Sequence, residues 1–448
     1  MKTLFAHFII AAATLLAGSA YAGNPDASPR HGNTEYFVTN FASLGGMTSR
    51  GNSINNRGWI AGFSDLEENQ NRHATLWLYG FGLDLGTLGG PNSSVAWSQA
   101  INNRGLIAGI AQTSMPEPLG QDWSCSAFFP APNASGFTCQ AVVWEHGKIR
   151  TLPRLGGHNA FATGVNNRGK VAGWSETDVR DASCNEEDGN QVLQFLPVIW
   201  GPGKNQIRSM PLIPGDTSGT VNALNDRGQA VGISGICDVA VGRHSARHAV
   251  LWENGKVRDL GNIGGEWWNT PTAINQRGDV AGFLGDPDDP DGFLQAFLWT
   301  KKDGIEPLGT LSGQMTEHVH SEAYGINERR QVVGLSCDAA FVDCRAFVWQ
   351  DGVMTDLNSV TPGYDDTLLH ARDINDQGMI TGFAFDADNG ERSTYWAIPI
   401  PFGAGHSDDK AETAAPVGGD RMARTVLPDD VMREILHPLS SGRVKLSR

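Results

Sequence analysis

The chain alternates short apolar stretches with turns rich in Asn and Gly, and one version of that alternation returns seven times. It consists of an apolar residue, Asn, two variable residues, usually Gly, and then an apolar pair and Gly. Copies stand at Ile54–Gly58, Ile101–Gly105, Val165–Gly169, Leu224–Gly228, Ile274–Gly278, Ile326–Arg330 and Ile374–Gly378. A second phrase, Ala followed by two apolar residues and Trp, ends at Trp77, Trp144, Trp200, Trp252, Trp299, Trp349 and Trp396. A third, of the Leu-Gly-Thr-Leu-Gly-Gly type, lies at Leu85–Gly90, Leu152–Gly157, Leu260–Gly265 and Leu308–Gly313, with weaker copies at Leu212–Gly215 and Leu357–Pro362. Self-similarity of this kind marks a repeat architecture.

Each unit reads as four strands. Asn braces the start of a tight turn and Gly takes the left-handed backbone that follows, so the apolar flanks become strands one and two. The aromatic, branched phrase ending in Trp is strand three. A second short turn, as at Glu253-Asn254-Gly255-Lys256, leads to strand four, which carries the Leu-Gly phrase. Successive tryptophans are 47 to 67 residues apart, a spacing that suits one four-stranded blade per unit. After Trp396 the seventh unit lacks a fourth strand, whereas Tyr36–Gly46 is a fourth-strand phrase with no three before it. Joined, the two fragments cover edges that would otherwise be exposed. An open solenoid has no reason to leave complementary fragments. The expected fold is therefore all-β, a seven-bladed β-propeller of four-stranded blades over 35–400, its last blade closed by the N-terminal strand.

Two residues test this reading. Arg330 holds the glycine position of the sixth unit, where a positive φ costs a non-glycine residue about 1 kcal/mol. Either it is strained or that hairpin uses another turn. Pro197 replaces the alanine before Val198-Ile199-Trp200 and, having no N–H for a ladder, is expected at the start of its strand.

The ends and the composition bear on where the protein works. Lys2, an apolar run from Leu4 to Ala17 and Ala20-Tyr21-Ala22 predict a signal peptide over 1–22, followed by a short leader over 23–34. No later stretch approaches the length needed to cross a bilayer, so no membrane insertion is expected. Six cysteines follow: Cys125, Cys139, Cys184, Cys237, Cys337 and Cys344. In an exported chain an even count favours disulfides over free thiols. Proximity suggests Cys125–Cys139 and Cys337–Cys344, leaving Cys184–Cys237. The net charge of −15 disfavours nucleic acid and anionic membranes as partners. A secreted or periplasmic monomer is expected.

The phrases Ala296-Phe297-Leu298-Trp299 and Ala346-Phe347-Val348-Trp349, together with Ala273-Ile274-Asn275 and the Leu-Gly-Gly motifs, resemble the HAF family of bacterial extracellular repeats. The likeness spans Tyr36 to Ile400. The His-Ala-Phe form that names the family is present only as His248-Ala249-Val250 and His73-Ala74-Thr75. The resemblance implies export and a propeller-like fold, and it carries no reaction and no catalytic residue.

Topology puts the Asn-x-x-Gly turns on one face and the loops between strands two and three, with the links between blades, on the other. Length variation concentrates in those loops, at Gln112–Cys139, Glu176–Phe195, Ser234–Arg247 and Leu284–Leu294, and the cysteines with them. That face is the expected binding face. In it, Asp286, Asp288, Asp289 and Asp291 gather carboxylates of the kind calcium takes, with Asp386-x-Asp388-Asn389-Gly390 as an echo. The glutamate that completes an EF-hand loop is missing, and a solvated acidic loop is the alternative. Calcium is the one cofactor suggested. Glu266, Trp267, Trp268 and Asn269 could stack on and bond a sugar, or simply pack between blades, and Trp123 is a second aromatic candidate. His318 and His320, beside Glu322, could begin a metal site with His158 or His370. Hydrogen-bonded histidines are the alternative.

No Gly-x-Ser-x-Gly, His-Glu-x-x-His or phosphate-binding loop is present. The expected function is a non-enzymatic exported binding or surface-interaction module, with a carbohydrate or protein ligand on the loop-rich face. The alternative is a metal-dependent propeller hydrolase or lyase acting on a small or sugar substrate, and a third is a structural envelope protein. An enzyme would need carboxylates or histidines from several blades meeting over the axis. The tail over 401–448 reads as a linker with a short helix near 428–436.

Overall fold

The computed structural model describes residues 34–121, 125, 128–130, 133–134, 136–184, 191–237, 244–285, 293–311 and 318–400. The expected signal peptide, leader, tail and tail helix lie outside these residues. Among the described residues the chain is all-β, and each of the first six units forms a four-stranded antiparallel blade in sequence order, while the seventh contributes three strands. The third unit, for instance, runs Gly156–Val165, Val171–Arg180, Leu193–Trp200 and Ile207–Ser209. Five blades are separate sheets. The first and last units share one sheet of eight strands through a single pairing of Thr48 with Arg392. The strand Tyr36–Phe41 pairs antiparallel with Arg392–Pro399, Tyr36 opposite Pro399 and Phe37 opposite Ile398. Ile400 N–H then donates to Glu35 O at 2.8 Å.

The repeated Asn does more than start a turn. In the first unit Asn55 Oδ1 accepts from Arg57 N and Trp59 N at 2.9 and 3.1 Å, which fixes the hairpin. Gly58 closes it at φ 74°. The amide nitrogen of Asn55 reaches the neighbouring unit, donating to Asn102 O at 2.9 Å. Asn102, Asn166, Asn225, Asn275 and Asn327 each donate to the next repeated Asn in the same way. Asn375 donates to Asn55 O at 3.0 Å. One buried side chain therefore satisfies two turn amides and stitches two units together, as a buried polar group must if it is not to cost stability.

Arg330 adopts φ 60°, so the turn type is kept and the residue takes the left-handed backbone. Its guanidinium meets Asp279 of the preceding unit through Nε at 2.8 Å and Nη2 at 3.1 Å, a contact no glycine could make. Pro197 departs from expectation: it is the fifth residue of the strand Leu193–Trp200, opposite Trp174. The proline fits because this position's N–H points out of the ladder. At the matching positions Ala74 and Ala296 donate instead to Ser93 and Ser321 of the next unit.

Tryptophans of strand three fill the gaps between blades; Trp77, Trp144, Trp200 and Trp252 are fully buried. Their indole N–H groups reach back to Ala42, Leu85, Pro153 and Pro211 carbonyls. The seventh unit differs. Ile380 pairs with Ala397, where Ile60 pairs with Trp77, so the register is offset by one and Trp396 faces the other way. A shift of one residue exchanges the two faces of a strand. Trp396 is consequently half-buried, packing on Phe41 and the first unit. The Leu-Gly phrase also sits later than expected. Strand four of the first unit ends at Asp84, and Leu85–Gly90 is the link whose last two glycines open the next unit's first strand.

All three expected disulfides are present: Cys125–Cys139, Cys184–Cys237 and Cys337–Cys344. Not all of their cysteines lie in loops. Cys139 is in the strand Phe137–Glu145, and Cys337 and Cys344 are a cross-strand pair at the end of a hairpin.

Candidate functional site

From the third unit round to the first, the first strand of one unit packs on the first strand of the next, and in the first strands one irregularity recurs. The register shifts between Gly51 and Ser53, Ala162 and Gly164, Val221 and Ala223, Pro271 and Ala273, Ala323 and Gly325, and Ala371 and Asp373. The skipped residue is always the third before the repeated Asn. Such a bulge frees a residue from the ladder and re-aims its side chain. Asn52, Thr163, Asn222 and Thr272 use that freedom to bond the next unit's backbone, at Val95, Val221, Pro271 and Ala323. Gln99, the counterpart in the second unit, bonds Ile274 across 175 residues of sequence, donating to its carbonyl and accepting from its N–H.

In the sixth and seventh units the bulged residues are large and ionisable: Tyr324 and Arg372. The Arg372 guanidinium stacks 3.8 Å from the centre of the Tyr324 ring and donates through Nη2 to Ala96 O at 3.3 Å. Tyr324 OH donates to Glu322, whose other oxygen lies 2.7 Å from His320 Nε2. Leu294 N donates to His320 Nδ1, so the ring proton sits on Nε2 and is given to Glu322. His370 also lies against Tyr324, with ring centres 4.6 Å apart, and its Nε2 is 3.4 Å from Arg372 Nη1. Glu322, Tyr324, His370 and Arg372 are all at most 5% exposed. Burial, then Arg372 and Arg50, hold the His370 pKa well below its ordinary value, so the ring is neutral. Burial and then Glu322 raise that of Tyr324. Arg50, in the first unit's inner strand, is half-buried and is the member of the group most open to solvent.

One residue nearer the Asn turns, Asp373 is buried and accepts from Ser53 Oγ, Ile54 N, Ile374 N and Gln99 N. Burial lifts its pKa to about 6. Beyond it, a cavity of about 160 Å³ opens toward the Asn-turn face. Its rim is a second series of bonds between units, in which Asn56 N donates to Asn103 Oδ1, Asn103 N to Asn167 Oδ1, and Asp376 N to Asn56 Oδ1. Those rim groups satisfy one another. The buried cluster lies toward the loop-rich end instead, against a core that contains Trp268, Phe383 and the Cys337–Cys344 disulfide.

The residues singled out from sequence are scattered relative to this cluster. His320 and Glu322 belong to it and His370 joins them, but as a hydrogen-bonded set around a guanidinium. With Arg372 at His370 Nε2 there is no open lone pair for a cation on that nitrogen. His318 bonds Ser336 Oγ at 3.1 Å and lies 3.7 Å from Asp343, whose carboxyl is held well below the usual range first by His318 and also by Arg345. His158 is elsewhere, its backbone N–H given to Glu176. Trp268 is buried in the core, Trp267 packs edge-on against His244 at 4.3 Å, and Asn269 is buried, bonding Ala246 and Arg247. Only Glu266 of that group is exposed, so no open stacking platform is formed there. Trp123 and the carboxylates Asp286, Asp288, Asp289 and Asp291 lie outside the described residues. Asp386 and Asn389 cap their own turn through Asp388 N and Glu391 N. Asp181 approaches Cys184 and Cys237, but those two sulfurs are bonded to each other.

Sequence reading passed over Tyr324, Arg372 and Arg50. The available signal was a departure from the repeat: Tyr and Arg stand where the other units carry Asn, Gln or Thr.

No protein-family profile matches the chain, and no curated protein matches it. Among solved structures it is similar to the β-propeller domain of the Trilobed protease from Pyrococcus furiosus, with 14% identity, 68% of this chain and 79% of that one covered, and a TM-score of 0.41. It is similar also to the Pyrococcus horikoshii acylaminoacyl peptidase, at 12% identity and TM-score 0.43, covering 81% of this chain and 51% of the peptidase. An oligogalacturonate lyase in complex with manganese matches at 9% identity and TM-score 0.37, with 82% and 97% covered. Likeness at this level says nothing of activity.

Proposed function

We propose that the chain is an exported, non-enzymatic binding module, a seven-bladed β-propeller closed on itself, that takes a carbohydrate or protein ligand at the axial end of its loop-rich face. The ring is supported by the series of Asn bonds that returns from Asn375 to Asn55 and by the pairing of Tyr36–Phe41 with Arg392–Pro399. Export fits three disulfides and the resemblance to HAF extracellular repeats. Among the described residues no helix is long and apolar enough to cross a membrane.

The observation that carries the functional reading is the meeting of Tyr324, Arg372, Glu322 and His370, from two units, in a buried cluster beside half-buried Arg50. Catalysis is not favoured by the same geometry. Both Glu322 oxygens are hydrogen-bonded, to His320 and Tyr324, and the free lone pair of His370 faces Arg372, so neither of these two residues is placed as a general base. The test is to purify the exported chain, screen it against glycans and peptides, and follow both retention and product formation, with elemental analysis for calcium and transition metals. Saturable binding without turnover, weakened by changes at the cluster, is expected. Turnover that depends on a stoichiometric bound metal would replace this reading with that of a metal-dependent hydrolase or lyase.

A further inference from the structure

Within the axial cluster two buried donors have no acceptor among the described residues: Arg372 Nε and His370 Nδ1. For His370 the chemistry fixes which atom carries hydrogen. Arg372 donates to Nε2, so the single proton of the neutral ring is on Nδ1. Both unmet groups of Arg372 and His370 are donors, whereas Asn52 Oδ1, at the bulge of the first unit, is an unmet acceptor. A buried donor without an acceptor costs stability, and native structures rarely leave several together. The guanidiniums of Arg50 and Arg372 both act on His370, and the carboxyl groups of Glu322 and Asp373 act on Arg372 from the same cluster.

We infer that, on the loop-face reading above, Arg372 and His370 anchor an anionic group of the ligand, an oxyanion with two or more acceptor oxygens, with Arg50 as its solvent-side counter-charge. A guanidinium held rigidly by stacking on Tyr324 suits this role. Its unmet Nε–H is held in a fixed direction, and charge-assisted bonds of this kind are the strong ones. The shared chemistry could come from a free inorganic oxyanion or from an acidic sugar residue.

Calorimetric titration of the full chain with glucuronate, glucose and inorganic phosphate separates these sources. Saturable one-to-one binding of glucuronate without binding of glucose is expected, with phosphate competing. Phosphate binding alone would keep the anchor and identify its source as a free oxyanion. Arg372→Met and His370→Phe should each weaken binding by about tenfold or more. Because Arg372 is buried and its loss could unfold the chain, Arg50→Gln, at a half-buried position, is the second variant, and it should weaken binding about tenfold while the chain, having lost the stacking on Phe63 and Phe383, still unfolds cooperatively. Binding of neither anion, or binding indifferent to Arg372→Met and Arg50→Gln, overturns the inference. So does a crystal structure grown in glucuronate that shows only water at Arg372 Nε and His370 Nδ1. A neutral glycan or peptide that binds equally to wild type and to both arginine variants would overturn the anionic anchor while leaving the loop-face reading intact.

Discussion

Asn166 allows the two tasks of the repeated asparagine to be separated. It is 4% exposed, its Oδ1 accepts from Arg168 N at 3.1 Å and Lys170 N at 3.0 Å, and its Nδ2 donates to Asn225 O at 3.0 Å. Asn166→Ala removes all three bonds, and at about 1 kcal/mol each the expected loss is about 3 kcal/mol. Asn166→Asp keeps both acceptor bonds of the turn but sets a carboxylate oxygen against the Asn225 carbonyl. Losing one donor and leaving a buried carbonyl unmet costs about 1–3 kcal/mol, and the repulsion adds to that. At pH 7 the aspartate variant should therefore be at least as unstable as the alanine one, although its hairpin is intact. Burial beside a carbonyl raises the new carboxyl's folded pKa above its unfolded value of about 3.9. Between those two pKa values the folded state binds more protons, so the deficit relative to wild type should shrink as pH falls from 7 toward about 4. Urea denaturation followed by tryptophan fluorescence, with both variants and wild type at each pH, measures this. An Asn166→Asp protein as stable as wild type at pH 7 would refute the reasoning, since the bond between units would then contribute nothing.

Asp373, held near pKa 6 in the folded chain against about 3.9 unfolded, should make wild type lose about 3 kcal/mol relative to Asp373→Asn as pH rises from about 4 to 7. A pH-independent difference in denaturation midpoints would contradict the buried placement. Arg330→Ala and Arg330→Gly both remove the contact with Asp279, so their difference isolates the backbone at φ 60°. The glycine variant should be the more stable by about 1 kcal/mol in thermal or urea unfolding, and equal values would mean that the turn relaxes. Replacing both cysteines of Cys184–Cys237, 53 residues apart, should cost about 4 kcal/mol, against about 2.5 kcal/mol for Cys337–Cys344, only 7 apart. Chemical denaturation of the two double-serine variants gives the order, and a reversed order would show that native-state packing, not chain entropy, sets the effect.

Blade, turn and disulfide were legible because each rests on local chemistry. Asn with Gly specifies a turn wherever it occurs, and nearby cysteines in a hairpin have few other partners. The register of Trp396 was not legible because the loops between strands two and three vary in length, so no spacing along the chain reports which residue of strand three meets Ile380. Pro197 was misread because sequence shows that proline lacks an N–H but not which way that N–H would have pointed. The axial cluster was hidden by the bulge itself. Alternation predicts that Tyr324 and Arg372 follow the side-to-side order of their strands, and the extra residue breaks that order where the chemistry is placed. The tryptophan pair at Trp267 and Trp268 illustrates the converse, since of the two readings the sequence allowed, stacking on a ligand or packing, Trp268 is buried in the core and Trp267 lies partly buried against His244.

Tyr36–Phe41 also sets an order of events during synthesis. Its partner, Arg392–Pro399, is about 350 residues later, so the first strand made waits for the last. Bringing such distant segments together costs about 5 kcal/mol of loop entropy, unless the intervening units have already folded and shortened the gap. Until then Tyr36–Phe41 is a bare strand with unpaired amides, the part of the nascent chain that a protease or a second copy would meet first.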